Sequence, residues 1–220
     1  MDGIYQRQQT LDLQMGNGTY FVVGCGGTGM WTAFMLAMSG AKKLFLFDSD
    51  KLELSNLNRL PFTTSDIGKR KTTVLAKFLR RIRPEIEIRE LGHFSLETIP
   101  MFKDEDPDTI YCCTDNWKSQ VLVRNYCTYY MKDGEFTTSE ILSGPTFIRI
   151  GYDGAHISVR HELPAWGKEE GMANQDGYNI VPSWVVPSAL AACIGVAKGM
   201  YRPARRIETN GNIEHIIRRG

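Results

Sequence analysis

Residues 22–29, VVGCGGTG, place four glycines in the six positions that close an apolar run. A second apolar run, LFLFDSD (44–50), ends on carboxylates. Few chain layouts satisfy both. TYFVVG (19–24) reads as a buried strand and TGMWTAFMLAMSG (28–40) as a helix with Gly40 at its C-terminal cap. KLFLFD (43–48) is the next strand, so the stretch has the plan of a nucleotide-binding βαβ unit. In that plan Gly24, Gly26, Gly27 and Gly29 allow a tight turn and a close approach of backbone to phosphate. The helix start offers free N–H groups, and Asp48 meets the ribose hydroxyls.

The alternation of strand and helix continues. SDIGKRKTTVLAKFLRRIR (65–83) is predicted helical, with Val74, Leu75, Phe78, Leu79 and Ile82 on one face, and Pro84 stops it. IEIREL (86–91) alternates as a strand, TIYCCTD (109–115) is a fourth strand, and NWKSQVLVRNYCTYYMK (116–132) is predicted helical. PTFIRIGYD (145–153) and AHISVRHE (155–162) read as a hairpin around Asp-Gly. Residues 163–182 are glycine-rich and polar and read as a long mobile loop, and PSALAACIGVAKGMY (187–201) is a small-residue helix packed on the sheet. The expected fold is α/β: a Rossmann-like, doubly wound, mostly parallel sheet extended by antiparallel hairpin strands, in a single domain over 1–220.

Composition excludes several classes. A net charge of +1 gives no pull toward nucleic acid or an anionic membrane. No apolar run approaches the roughly eighteen residues of a membrane span, and MDGIYQRQQT lacks the apolar core of a signal peptide. The five cysteines, Cys25, Cys112, Cys113, Cys127 and Cys193, include no CxxC pair, so a structural zinc site is not expected. Their odd number points to the reducing cytoplasm, and Cys112, Cys113, Cys127 and Cys193 read as packing residues.

A glycine loop and one acidic residue suit a nicotinamide oxidoreductase equally well. The residues after Asp48 separate the readings. DSDKLELSNLNRLPFTTSDIGKRK carries Asp50, Asn56, Asn58, Arg59 and Lys71. Lys71 falls in the first turn of a helix, where the dipole disfavours an unpaired cation and an anion would restore balance. Lys69, Arg70, Arg80 and Arg81 read as a solvated face. Asp115 and Asn116 lie at the carboxyl end of the fourth strand, where open α/β sheets bind ligands. A carboxylate facing a triphosphate makes sense with Mg2+ between them. A helix-capping role for Asp115 is the alternative.

In order and spacing, the glycine loop, DSD, SNLNR, GKRK and CTDN resemble the ThiF/MoeB family, bacterial relatives of ubiquitin-activating enzymes. The resemblance covers residues 19–130 most closely. It implies ATP- and Mg2+-dependent adenylation of the C-terminal glycine carboxylate of a small ubiquitin-like protein or peptide. Asp48 then holds the ribose and the loop glycines the phosphates. Asn56, Arg59 and Lys71 stabilise charge on the α-phosphate, and Asp115 binds Mg2+. Asp50, Asn58 and Asn116 fall in the same motifs and are counted with the nucleotide-binding set. The family also implies a homodimer in which Arg7, from YQRQ (5–8), reaches the second copy's site. The chain departs from the family at Leu60, where Gln is common. It lacks the CxxC motifs, and 163–182 holds no cysteine for thioester chemistry. A tRNA-modifying dehydratase of the same fold is the runner-up; an oxidoreductase would leave Arg59, Lys71 and Asp115 without a role.

Overall fold

The computed structural model describes residues 3–11, 13, 16–132, 135–141, 144–163, 183–201 and 209–212. Among these, seven strands form one sheet in the order β3-β2-β1-β4-β7-β8-β9. The elements are β1 (Thr19–Val23), α1 (Gly27–Ser39), β2 (Lys43–Phe47), α2 (Lys71–Ile82), β3 (Glu87–Leu91), β4 (Thr109–Cys112) and α3 (Trp117–Thr128). They continue with β5 (Tyr129–Lys132), β6 (Glu135–Glu140), β7 (Thr146–Asp153), β8 (His156–Arg160), α4 (Val185–Met200) and β9 (Thr209–Asn212).

Five strands, β3 through β7 in the sheet order, run parallel; β8 pairs antiparallel with β7 and β9 antiparallel with β8. This is the expected mixed, mostly parallel sheet. The central strands β1 and β4 are buried at every position, as strands covered on both faces must be. Edge strand β3 instead buries Ile88 and leaves Glu87, Arg89 and Glu90 in solvent. Gly154, at φ 54°, reverses the chain between β7 and β8 at the expected Asp-Gly.

Alternate residues face two cores. Tyr20, Val22, Leu44, Leu46, Ile148 and Ile150 pack against α1, α2 and α4. Phe21, Phe45, Phe47, Ile110 and Phe147 pack with Val123 of α3 in a ring-rich cluster, where Phe47 and Phe102 stack edge-on at 5.0 Å.

Two helix boundaries differ from expectation. The helix expected over 65–83 begins only at Lys71, because Gly68 at φ 84° turns the chain and its amide bonds Leu52 O (2.8 Å). The helix expected over 116–132 ends at Thr128; Tyr129–Lys132 form β5, paired antiparallel with β6. The stretch 164–182 lies outside the described residues, so the expected loop there is not described. Among the described residues no helix is long and apolar enough to cross a membrane.

Helix α4 lies close on the sheet where Gly195 and Gly199 face it. A Cβ on Gly199 would overlap the hydroxyl of fully buried Tyr111 and stand 3.2 Å from Ile148 Cδ1. Gly199→Val is expected to cost roughly 1–3 kcal/mol of stability by overpacking. Urea unfolding checks it, with exposed Ala197→Ser as a control expected within about 0.5 kcal/mol of wild type.

Candidate functional site

Val23 of β1 is level with Phe47 of β2 on one side and Cys112 of β4 on the other. Three strands thus end together, and the chain leaves β1 at the point where strand order reverses. There Gly24 donates to Phe47 O (2.7 Å) and takes φ 91°, the left-handed region. A Cβ on it would lie 3.0 Å from the backbone of Cys113 and Thr114, so the glycine loop rides directly on the end of β4. Gly29 approaches still closer: a Cβ there would overlap the Gly24 carbonyl.

Gly26 caps α1 without any side-chain hydrogen bond, and the first intrahelical bond is Met30 N–H to Gly26 O (2.9 Å). The amides of the first turn therefore have no intrahelical acceptor. A Cβ on Gly26 would meet nothing within 4 Å, so open space adjoins this helix start. These are the elements of an anion cradle.

Asp48 is tied into the loop on both oxygens. Oδ2 accepts the Cys25 amide and Oδ1 the Asp50 amide, each at 2.7 Å. Each oxygen keeps a second lone pair for a hydroxyl donor. Lys71 is the first residue of α2, and the anion that its position calls for is present: Asp50 Oδ2, 2.9 Å from Nζ. Asp50 thereby acts as a counterion in this structure.

Arg59 stands over the first turn of α1, its Cδ 3.0 Å from where a Gly27 Cβ would be. Its Nη1 donates to Ser55 O (2.9 Å) and Asn58 Oδ1 (2.8 Å), and its carbonyl accepts Trp31 Nε1–H (3.2 Å). Asn58 Nδ2 donates to Ser183 O (2.7 Å). Asn56 is buried and its Oδ1 accepts the Glu53 amide (3.1 Å), closing a short 3-10 turn. Lys69, Arg70, Arg80 and Arg81 are exposed, with Lys69 paired to Asp66 and Arg80 to Glu90.

Asp115 is exposed just past β4, and its carboxylate makes no hydrogen bond or ion pair among the described residues. The cap of α3 is Asn116, whose Oδ1 accepts the Ser119 amide (3.0 Å), so the capping role open for Asp115 belongs to its neighbour. No cluster of three His, Cys, Asp or Glu side chains that could hold a metal occurs among the described residues. One unpaired carboxylate beside an anion cradle fits Mg2+ shared with phosphates, since that ion takes few protein ligands.

Arg7 falls elsewhere. Its 3-10 turn, Gln6–Gln8, docks on the C-terminal end of α1 through Gln8 Nε2 to Ser39 O (2.7 Å). The 13-residue helix then separates it from the glycine loop by roughly 20 Å.

Three site residues escape sequence reasoning. Tyr152 Oη stands 3.1 Å from the Gly27 Cβ position and Ser188 Cβ 3.3 Å from it, and Trp31 holds the Arg59 carbonyl. Burial raises the Tyr152 phenol pKa, and Arg59 partly offsets it. Alternation with Ile148 and Ile150 could have shown that Tyr152 points inward; that it ends over the glycine loop depends on strand order.

Cys25, Cys112 and Cys127 are buried thiols and poor nucleophiles. Cys25 is fully buried in the core, and desolvation followed by the Asp48 charge pushes its thiol up. Burial raises Cys112 to about 12 and also raises Cys127. Cys193 is exposed, which corrects its reading as a packing residue; it lies on the solvent side of α4.

A model of the ThiF family matches residues 7–173. Over 122 residues the chain is 35% identical to ubiquitin-like modifier-activating enzyme 5 of Drosophila persimilis, which spans 50% of this chain and 32% of that protein. The Aedes aegypti enzyme of the same name is 35% identical over 119 residues, 48% of this chain and 30% of that one. The chain thus spans about a third of the length of these curated relatives. In fold it is similar to E. coli MccB, crystallised with ATP: TM-score 0.62 at 22% identity, covering 89% of this chain and 56% of the other. The family match runs from before the glycine loop to beyond β8 and takes in every strand end of the site, and the chain belongs to the ThiF family.

Proposed function

We propose that this protein adenylates the C-terminal glycine carboxylate of a small ubiquitin-like protein or peptide, using ATP and Mg2+. The observation that carries the reading is the uncapped start of α1, with Arg59 above it and Asp48 and Asp115 at the neighbouring strand ends. An acyl carboxylate attacks the α-phosphorus, the bond to the β-phosphate oxygen breaks, and pyrophosphate leaves. Anion meets anion in that step, so fixed positive charge supplies most of the catalysis. The amides of α1 receive phosphate oxygens and Asp48 orients the ribose. Arg59 and Lys71, released from Asp50, neutralise charge developing on the α-phosphate. Asp115 would hold Mg2+ from the protein side, and the ion would supply further charge neutralisation at the phosphates. No side-chain nucleophile is required for this step.

Arg7 cannot serve its own loop across α1, so its part in the reaction belongs to a homodimer acting in the cytoplasm. The relatives' name, ubiquitin-like modifier-activating enzyme, supports a protein substrate. The test is thermal unfolding with ligands. ATP with Mg2+ is expected to stabilise by about 2.7 kcal/mol at a hundredfold excess over Kd, and NAD or NADH not at all. Stabilisation by NAD alone would sink the reading.

A further inference from the structure

The loop that carries Asp115 is held by two residues that no nucleotide motif includes. Arg149 of β7 lies level with Cys112, the last residue of β4. Its Nε–H donates to Gln120 Oε1 (3.0 Å), and Gln120 Nε2–H donates to Thr114 O (2.8 Å). Gln120 is on α3 and only 3% exposed. An arginine can only donate, so the oxygen of the Gln120 amide must face Arg149 and its NH2 must face the loop. Other polar groups around Asp115 are also tied. Cys113 N–H bonds Val23 O (2.7 Å), Asn116 N–H bonds Thr114 Oγ1 (3.2 Å), and Gln120 N–H returns to Asn116 O (3.0 Å). Among the described residues, Asp115 is left as a carboxylate without a partner in a loop whose neighbours on both sides are fixed.

We propose that Arg149 and Gln120 are positioning residues that aim Asp115 at the divalent cation; the inference rests on the metal role proposed for Asp115. Burial of the Arg149 guanidinium lowers its pKa, a desolvation cost that a solvent-exposed arginine would not carry. Metal ligation tolerates little displacement, because Mg2+ demands near-octahedral geometry. A loop loosened by an unpinned Thr114 carbonyl loses the metal contact before it loses the helix start that cradles phosphate.

The substitutions Gln120→Glu and Arg149→Met separate these effects. The carboxylate of Gln120→Glu still accepts from Arg149 but, when ionised, cannot donate to Thr114 O; Arg149→Met removes the donor that orients the amide. The probe is ATP itself, titrated calorimetrically in EDTA and in excess Mg2+, so no acyl substrate is needed. The ratio of the two dissociation constants is expected to fall about tenfold in each variant, with binding in EDTA within twofold of wild type. The double variant should fall no further than either single one, as members of one chain of bonds are not additive. Arg149→Lys, which keeps a donor, should recover most of the ratio. An unchanged ratio in Gln120→Glu, or an equal loss in EDTA and in Mg2+, overturns the positioning role. If Arg149→Met does not fold, Gln120→Glu decides alone. A wild-type ratio of one removes the metal role of Asp115 and this inference together, and absence of ATP binding in wild type overturns the adenylation reading itself.

Discussion

Asp115→Ala is expected to lower exchange of labelled pyrophosphate into ATP by at least about a hundredfold, or ~2.7 kcal/mol of transition-state stabilisation. The fold should be untouched, because the Asp115 side chain is exposed and bonded to nothing among the described residues. Arg59→Ala and Lys71→Ala should reduce turnover more than ATP affinity, since their charges count most as negative charge develops. Lys71→Ala has an added consequence: it leaves Asp50 unpaired near the proposed phosphate site, so part of its loss should be repulsion. Asp50→Asn alone should therefore be mild. The measurement uses whichever acyl substrate supports wild-type exchange. Near wild-type exchange in Asp115, Arg59 and Lys71 variants alike would place the chemistry elsewhere in the molecule.

Gly29→Val is the second large effect. The Gly24 carbonyl occupies the place a Cβ would need, and that carbonyl belongs to backbone already fixed by Phe47 O and pressed against Cys113 and Thr114. Neither side can yield, so α1 must tilt away from β1. We expect a loss of roughly 2–3 kcal/mol in urea unfolding, at the upper end of overpacking costs. The stabilisation by ATP and Mg2+ should vanish with it, because the amides of α1 no longer meet the phosphates. Gly26→Ala is the contrast: a Cβ there meets nothing within 4 Å, and the residue is extended rather than left-handed, so folding should survive. A Gly29→Val protein with wild-type stability and an intact ATP response would show that this close approach is not what seats the nucleotide.

Local rules read most of the framework correctly. The short, mostly apolar runs in TYFVV and KLFLF read as strands covered on both faces, and both are. Gly40 ends α1 in the left-handed conformation its sequence position suggests. Where the reading slipped, a non-local bond competed with a local pattern. Residues 65–70 precede an amphipathic run, yet Gly68 turns the chain there, and Leu52 bonds both Gly68 and Lys69 and holds them out of the helix. Tyr129–Lys132 continue the α3 pattern in sequence, but a partner strand at Glu135–Glu140 captures them.

Sequence by itself determined the βαβ plan with its glycine loop, the order of its motifs and the residue types offered to an anion, because glycine, carboxylate and cation carry their chemistry wherever they are placed. Tertiary structure decided which of them act together. Strand order put β4 beside β1, so that the loop bearing Asp115 touches the glycine loop from far along the chain. The same order set Tyr152 over Gly27 and Arg149 behind Gln120, while the bond from Gln8 to Ser39 O holds Arg7 at the far end of α1. The folding back of the β2–α2 connection, where the Lys71 amide bonds Asp50 O (3.0 Å), supplied Lys71 with Asp50, an ion pair across 21 residues that no periodicity signals. Those pairings depend on how the sheet is wound, and winding is settled by burial over the whole chain, which no single motif records.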